Sequence, residues 1–226
     1  MSPYPAITIS RSLGCGGAEV GFLVARRLGW RFCDRRILRL AAEAAGSSVA
    51  GLARREERPS GFLDQMLNVL GFGCPEAPCA PLLEPPMYSR DLYQLQREVM
   101  LGLVARAPSV IVGRGGFFAL KELPQALHVS FDADPAYRCR SLVQRGKMPD
   151  LETARKEVAA SDRERAAFIR DISGLDWHDP LPFQLVLDVS LTGIDGCVEL
   201  ILDEAERRFL LVPGQRQRPG VEDPQE

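Results

Sequence analysis

A short β-branched run near the amino terminus leads directly into a cluster of glycines and then into a helical pattern. Residues 7–9 form the apolar run, and glycines occupy positions 14, 16, 17 and 21. Because glycine has no side chain, backbone N–H groups in such a loop can converge on an anion, and the helix that follows adds its positive dipole end. The segment predicts a strand, a phosphate-binding loop and a helix, with the loop and its flanks at 10–18.

The loop departs from the strict phosphate-loop motif G-x-x-x-x-G-K-[ST]. Arg11 stands at the first glycine, Gly17 at the lysine and Ala18 at the hydroxyl that binds Mg²⁺. A dinucleotide fingerprint fits poorly too, because Glu19 occupies its third glycine position. The long spacing between strand and glycines favours a phosphate cradle, and an ordinary glycine-rich connection is the alternative. The loop residues predicted to bind phosphate are Ser10, Arg11, Ser12, Gly14, Cys15, Gly16, Gly17 and Ala18.

Composition limits the class of protein. The chain has 226 residues, of which 46% are hydrophobic, so it is long enough for one well-buried core. Its net charge of −2 provides no general attraction to nucleic acid polymers or anionic membranes. Neither a secretory leader nor an apolar run of membrane-spanning length is found, so we expect a cytoplasmic protein.

Apolar runs alternate with helical patterns along the chain. Strands are predicted at 6–10, 30–33, 109–113, 127–131 and 185–189. Helices are predicted at 17–28, 35–45, 89–107, 134–146, 151–172 and 193–209. Short continuous apolar strands are typical of parallel sheets buried on both faces. The pattern predicts a doubly wound α/β fold with a mostly parallel five-stranded sheet.

The domain organisation follows from changes in composition. Residues 1–212 are predicted to form one domain, and within them 46–88 carry six prolines and form a helix-containing insertion beside the site. The segment 213–226 has too few apolar residues to offset the entropy of ordering and is predicted to be a disordered tail.

The region 138–172 is rich in basic residues. From position 138 to 170 there are nine basic and five acidic side chains. Guanidinium groups suit phosphate oxygens because two parallel N–H donors match two acceptors, so this region is predicted to be a lid. A solvated helix carrying pairs such as Glu152 with Lys156 is the alternative.

Two further polar residues stand at predicted strand ends. Arg114 follows the third strand, where open α/β sheets bind ligands outside the carboxyl ends of their strands. Asp34 follows the second strand and either helps to place a ribose or base or caps the next helix.

The cysteines and histidines give weaker evidence of function than the glycines and arginines. Six cysteines are scattered rather than arrayed, and no metal site is expected among them. Cys15, near a helix start, also carries a hypothesis of raised thiol reactivity. His178 lies in a turn-like segment without an accompanying nucleophile and is interpreted as a loop residue.

Taken together, the motifs resemble those of the cytidylate kinase-like family, a divergent relative of bacterial cytidylate kinases with the P-loop nucleoside-monophosphate kinase fold. The resemblance spans about residues 5–205. Its segments are Ile7-Thr8-Ile9-Ser10-Arg11, Gly14-Cys15-Gly16-Gly17, Phe32-Cys33-Asp34, Val110-Ile111-Val112-Gly113-Arg114-Gly115, Asp162-Arg163-Glu164-Arg165-Ala166 and Trp177-His178-Asp179-Pro180.

The resemblance implies roles for individual residues. Arg114, Arg163 and Arg165 are the implied catalytic side chains, with Asp162 and Arg165 similar to the D-x-x-R lid motif of cytidylate kinases. Asp34, Arg114 and Asp162 are the implied substrate-binding residues. ATP is the implied donor, and Mg²⁺ would be held mainly by its phosphates.

Two departures from that pattern lie outside the loop. Gly115 replaces the aspartate of the G-R-D motif, and Val158 replaces an arginine found in the lid of true cytidylate kinases. Two functions therefore stay open: a kinase that phosphorylates CMP or a related pyrimidine monophosphate, and a nucleotide-binding pseudokinase that acts as a sensor or regulatory module. Nucleotides are the expected partners in both, and the sequence identifies no protein partner.

Overall fold

A computed structural model of the protein describes residues 4–34 and 90–209. Its strands are β1 (Ala6–Arg11), β2 (Arg31–Cys33), β3 (Ser109–Val112), β4 (Ala126–Asp132) and β5 (Leu185–Asp188). Its helices are α1 (Gly17–Leu28), α2 (Arg90–Val104), α3 (Gly116–Ala119), α4 (Pro135–Gln144), α5 (Leu151–Ser173) and α6 (Val189–Phe209).

The five strands form one parallel sheet in the order β2-β3-β1-β4-β5. β1 lies at the centre, where Ile9 is in register with Val112 of β3 and with Val129 of β4. From β1 the chain passes to the edge strand β2 and returns to β3, and then it crosses to β4 on the other side of β1 and continues to β5. The connections after β1 and β4 thus leave in opposite directions, and the carboxyl ends of β1, β3 and β4 lie together at this topological switch point. This edge of the sheet is where such folds bind ligands, and it positions the site described below.

Alternation along the strands places apolar side chains on both faces of the sheet. Ile7 and Ile9 of β1 pack with residues of α1 and α6 in one buried cluster. Ala6 and Ile111 face the opposite cluster, which includes residues of α2 and α3. Because both faces are covered, the strands are continuous apolar runs, and the predicted doubly wound α/β fold is confirmed.

The predicted strands agree with the observed strands to within one residue at each end. Helix α1 has the predicted bounds and ends at Gly29, whose φ of 66° is left-handed. The short helix α3 was not predicted, and α6 begins four residues early because a helical segment precedes a break at Gly193. The predicted helix at 35–45, the insertion at 46–88 and the tail at 213–226 lie outside the described residues.

The region predicted as a lid consists of the end of α4, the following turn and α5. Asp134 and Asp150 cap the two helices by accepting hydrogen bonds from backbone N–H groups in their first turns. The amino-terminal half of α5 packs on α4 through Ala154 and Val158, and its other half packs on α3 around Ile169. Among residues 4–34 and 90–209, no helix combines the length and apolar character needed to span a membrane.

Candidate phosphate-binding site

The glycine-rich loop joins the end of β1 to the start of α1 and is tied to β4. The backbone N–H of Ser12 donates to the carbonyl of Phe131 over 3.2 Å. The hydroxyl of Ser12 donates to Oδ1 of Asp132 over 2.6 Å, and the Cys15 thiol donates to the Ser12 carbonyl over 3.1 Å. These bonds hold the first half of the loop against the neighbouring strand.

Glycine is required at two positions of this loop. Gly14 and Gly16 both have φ of +84°, a left-handed conformation that glycine adopts without steric cost. A Cβ atom at Gly14 would lie 2.6 Å from the backbone oxygen of Arg138, and one at Gly16 would lie 2.5 Å from Cδ1 of Ile194. The loop therefore fits closely between α4 and α6, which restricts its shape.

A cleft that is open to solvent lies at the carboxyl edge of β1 and β3. Three arginines, from β1, from the turn after β3 and from α5, line it together with glycine backbone and an apolar wall. The lining residues are Ile9, Ser10, Arg11, Gly113, Arg114, Gly115, Gly116, Phe117, Arg165, Phe168, Ile169 and Trp177. Among the residues that the structure describes, this lining set contains three guanidinium groups and no carboxylate, which suits an anionic ligand.

The turn that carries Arg114 has an unusual backbone. Gly113, Arg114 and Gly115 have φ of 84°, 53° and 63°, so three successive residues are left-handed. For an arginine this conformation costs about 1 kcal/mol. Such strain is retained where the surroundings demand one geometry, and here it places Arg114 at the cleft edge of the sheet.

Asp162 and Arg165 lie one helical turn apart on α5 but have different surroundings. Asp162 accepts two hydrogen bonds from Arg138 of α4, whereas Arg165 lines the cleft with its Nη1 4.0 Å from Oδ1 of Asp162. Although burial lowers the pKa of Arg138, the bond with Asp162 raises it above its ordinary value. Asp162 therefore holds Arg138 and lies beside Arg165 at the rim of the site.

The other predicted residues occupy several environments. Ser10 and Arg11 line the cleft, while Ala18 is exposed on α1. Asp34 is half-buried at the end of β2 and is not among the residues that line the cleft. Arg163 is exposed on α5 and likewise lies outside the lining set. The structure thus brings Arg11, Arg114 and Arg165 together, without Arg163 or Asp34.

Cys15 is buried within the loop rather than presented to solvent. Burial raises the pKa of its thiol, and this effect is partly opposed by the backbone N–H of Gly17 and by the charge of Arg11. A thiol in such surroundings is a poor nucleophile. Its contacts are those of a packing residue, which gives no support to the hypothesis of raised reactivity.

The two departures outside the loop have structural explanations. A Cβ atom at Gly115 would collide with Cδ1 of Ile172 and would lie 3.3 Å from Cε2 of Tyr93, so an aspartate there would have to displace Ile172 and would adopt a strained φ of +63°. Val158 is buried between α4 and α5 with Cys139 and Leu142. The volumes that polar side chains would enter are filled by apolar packing.

Two residues at the site were not singled out by sequence reasoning. Arg138 supports the loop through its backbone oxygen, and Asp132 anchors Ser12. Asp132 directly follows a predicted strand, and this signal, already applied to Arg114, identifies it as well. The partner of Arg138 is 24 residues away in sequence, so no local pattern indicates the pair.

No group of three or more His, Cys, Asp or Glu side chains suited to a metal ion occurs in the described residues. Cys15, Cys33, Cys139 and Cys197 are buried free thiols. The other two cysteines, Cys74 and Cys79, lie outside the part of the chain that the structure describes.

The family model of the cytidylate kinase-like family matches residues 6–191. No curated protein matches the sequence. Among solved structures, an uncharacterized protein from Eubacterium ventriosum superposes with a TM-score of 0.64 at 16% identity, covering 89% of this chain and 98% of that one. A gluconokinase from Sinorhizobium meliloti superposes with a TM-score of 0.52 at 13% identity, covering 93% and 98% of the two chains. These similarities show the fold of the P-loop kinases.

Proposed function

The chain belongs to the cytidylate kinase-like family, and from this premise we propose that it transfers the γ-phosphoryl group of ATP to a nucleoside monophosphate. In this reaction the bond from the γ-phosphorus to the β–γ bridging oxygen breaks, and a bond to an acceptor phosphate oxygen forms. The products are ADP and a nucleoside diphosphate. CMP or a related pyrimidine monophosphate is the proposed acceptor.

One observation carries this proposal. Arg11, Arg114 and Arg165 come from three separate elements and line one cleft beside the glycine-rich loop. Phosphoryl transfer depends mainly on positioning and on stabilising charge that spreads over the phosphoryl oxygens. Three guanidinium groups that line one cleft would supply that charge stabilisation without covalent chemistry by the protein.

We assign distinct roles to the elements around the cleft. The loop at 10–18 would bind the donor phosphates through its backbone N–H groups at the start of α1. Arg114 would face the acceptor phosphate from the turn after β3, and Arg165 would neutralise the transferring group from α5. Asp162 would position the lid by holding Arg138, and Asp34 would contribute on the acceptor side. Arg163 would join the site only if α5 moved.

The residues present fit a polyphosphate better than they fit a metal ion held by protein. The backbone N–H groups of the glycine-rich loop and the arginines suit phosphate oxygens, whereas position 18, where a hydroxyl would hold Mg²⁺, is an exposed alanine. We therefore propose that Mg²⁺ is held mainly by the phosphates of ATP. When bound there, it would neutralise part of their charge.

The direct test is to incubate purified protein with ATP, Mg²⁺ and a panel of nucleoside monophosphates and to separate the products by anion-exchange chromatography. We expect a diphosphate from at least one pyrimidine acceptor over many turnovers. Arg165→Ala, checked for folding by circular dichroism, should lower that rate strongly. Absence of any diphosphate from folded wild type would refute the kinase proposal.

A pseudokinase is the second candidate, and specific departures favour it. Positions 17 and 18 lack the lysine and hydroxyl, and the volume beside Gly115 is filled by Ile172. This candidate predicts that ATP or CMP raises the melting temperature without product formation. Multiple turnover with any acceptor would exclude it.

A further inference from the structure

Gly17 stands where a phosphate loop carries its lysine, and the space that a side chain there would enter is already filled. A Cβ atom at Gly17 would lie 2.8 Å from Cβ and 3.2 Å from Cγ of Arg11. The stem of Arg11 therefore runs past the first turn of α1 at the point where a side chain from position 17 would begin. A residue with a side chain at 17 and an arginine at 11 compete for one volume.

The guanidinium group of Arg11 lies beside a second glycine, Gly113. A Cβ atom at Gly113 would lie 2.5 Å from Nη1 and 2.9 Å from Cζ of Arg11. The guanidinium thus lies against the backbone at the end of β3, where any larger residue would displace it. From there it lines the same cleft as Arg114 and Arg165.

We infer that Arg11 supplies the donor-phosphate cation of this loop in place of a lysine at position 17, and that Gly17 is a glycine because the stem of Arg11 must pass it. Gly113, which its left-handed φ of 84° already favours as glycine, leaves room for the guanidinium. The positive charge has moved six positions back along the sequence but still reaches the cleft. The inference rests on the proposed nucleotide-binding function, which it deepens by assigning the cation. It also explains why the first motif glycine and the motif lysine are replaced together.

Arginine and lysine bind phosphate with different geometry. An arginine presents a planar fork that donates two parallel hydrogen bonds to phosphate, whereas a lysine acts as a compact point charge. An arginine that begins on the strand also approaches from the sheet rather than from the helix. Arg11 therefore binds phosphate oxygens from the side of β3, next to Arg114.

The test is a set of substitutions at positions 11 and 17, with the ATP dissociation constant measured by calorimetry and folding checked by thermal melting. Arg11→Met keeps the stem but removes the charge, and we expect it to raise the dissociation constant about 30-fold. Arg11→Lys should recover part of that loss. Arg31→Met is the matched control and should leave ATP binding unchanged, because Arg31 lies at the amino-terminal end of β2, away from the carboxyl ends of the strands that line the cleft.

Coupling between the two positions separates this inference from a purely structural role. Gly17→Ala should weaken ATP binding about tenfold by displacing Arg11, yet it should add little in the Arg11→Gly background, because the side chain that it would displace, Cβ included, is then gone. The double variant with Arg11→Gly and Gly17→Lys should bind ATP within about fivefold of wild type, because the cation returns to its usual position.

Each outcome bears on a different claim. If wild type binds ATP and the folded Arg11→Met and Arg11→Gly proteins bind it equally well, the inference is overturned while the proposed function stands. Additive effects of the substitutions at positions 11 and 17 would overturn it too. If wild type binds no nucleotide, the proposed function fails first and the inference fails with it.

Discussion

Arg138 and Asp162 are joined by two parallel hydrogen bonds, from Nη1 to Oδ1 over 2.9 Å and from Nη2 to Oδ2 over 2.8 Å. The pair links α4 to α5. The backbone oxygen of Arg138 also faces Gly14 so closely that a Cβ atom there would be only 2.6 Å away. One arginine thus supports both the glycine-rich loop and the helix that carries Arg165.

Breaking this ion pair should destabilise the protein strongly. Asp162→Asn leaves the buried guanidinium of Arg138 without its counter-charge, and we expect a loss of about 3 kcal/mol in the free energy of unfolding. Urea unfolding at pH 7.5 measures it. Glu152→Gln removes one partner of an exposed pair on the same helix and should cost under about 0.5 kcal/mol. Equal losses in the two variants would contradict a supporting role for the Arg138–Asp162 pair.

Gly14→Ala should combine backbone strain with a collision. The left-handed φ alone costs about 1 kcal/mol, and contact with the Arg138 carbonyl should force the loop to shift and weaken ATP binding. Gly146→Ala is the matched control, because Gly146 has φ of +62° but its Cβ atom would meet nothing within 4 Å. Thermal melting and ATP calorimetry on both variants separate the two effects. Gly146→Ala should lose only stability, and similar losses of ATP binding in both would argue against a shaped loop.

Arg165→Ala should lower kcat about 100-fold, because it removes a positioned charge from the cleft. Arg163→Ala should have a much smaller effect, since Arg163 is exposed and outside the lining set. Steady-state kinetics with a fixed acceptor compares the two variants, and Lys156→Ala on the exposed face of α5 serves as control. Equal effects at positions 163 and 165 would instead require α5 to rotate during closure.

Stability should fall with acidification through His128. Nδ1 of His128 lies 2.7 Å from Oγ1 of Thr8, and burial, with a further contribution from Arg208, lowers its pKa to about 4. At pH values between about 4 and about 6.5, the imidazole of His128 binds a proton in the unfolded chain but not in the folded protein. The stabilisation is complete above pH 6.5 and is lost as the pH falls toward 4, up to about 3 kcal/mol.

Urea unfolding at pH 7.5 and pH 4.5 tests this expectation. The decrease between the two pH values should be smaller in His128→Gln than in wild type, whereas exposed His178→Gln should follow wild type. An identical decrease in wild type and His128→Gln would show that another group is responsible.

Local patterns were sufficient for the strands, for α1 and for the glycine-rich loop, because each depends on neighbouring residues. The β-branched run at 7–9 and the glycines that follow it have few alternative structures. Helix α3, with four residues, is too short to show a period, and the early start of α6 depends on a break at Gly193 that no spacing rule indicates.

The residues of the site likewise differ in whether a local sequence pattern could identify them. Arg114 and Arg165 were predicted from a strand end and from a family motif, and both line the cleft. Arg163 lies in the same motif, yet two positions along a helix place it on another face. Arg138 could not be predicted, since its partner comes from another helix 24 residues later.

By itself the sequence determined the order of elements, the parallel sheet and the presence of a glycine loop without a lysine, because these follow from side-chain period and backbone freedom. Only the tertiary structure decided which arginines share a cleft and what occupies the space beside Gly17. Those outcomes depend on packing between segments far apart in the chain. In a closely packed interior only one side chain can occupy a given space, and a local sequence pattern does not predict which side chain that is.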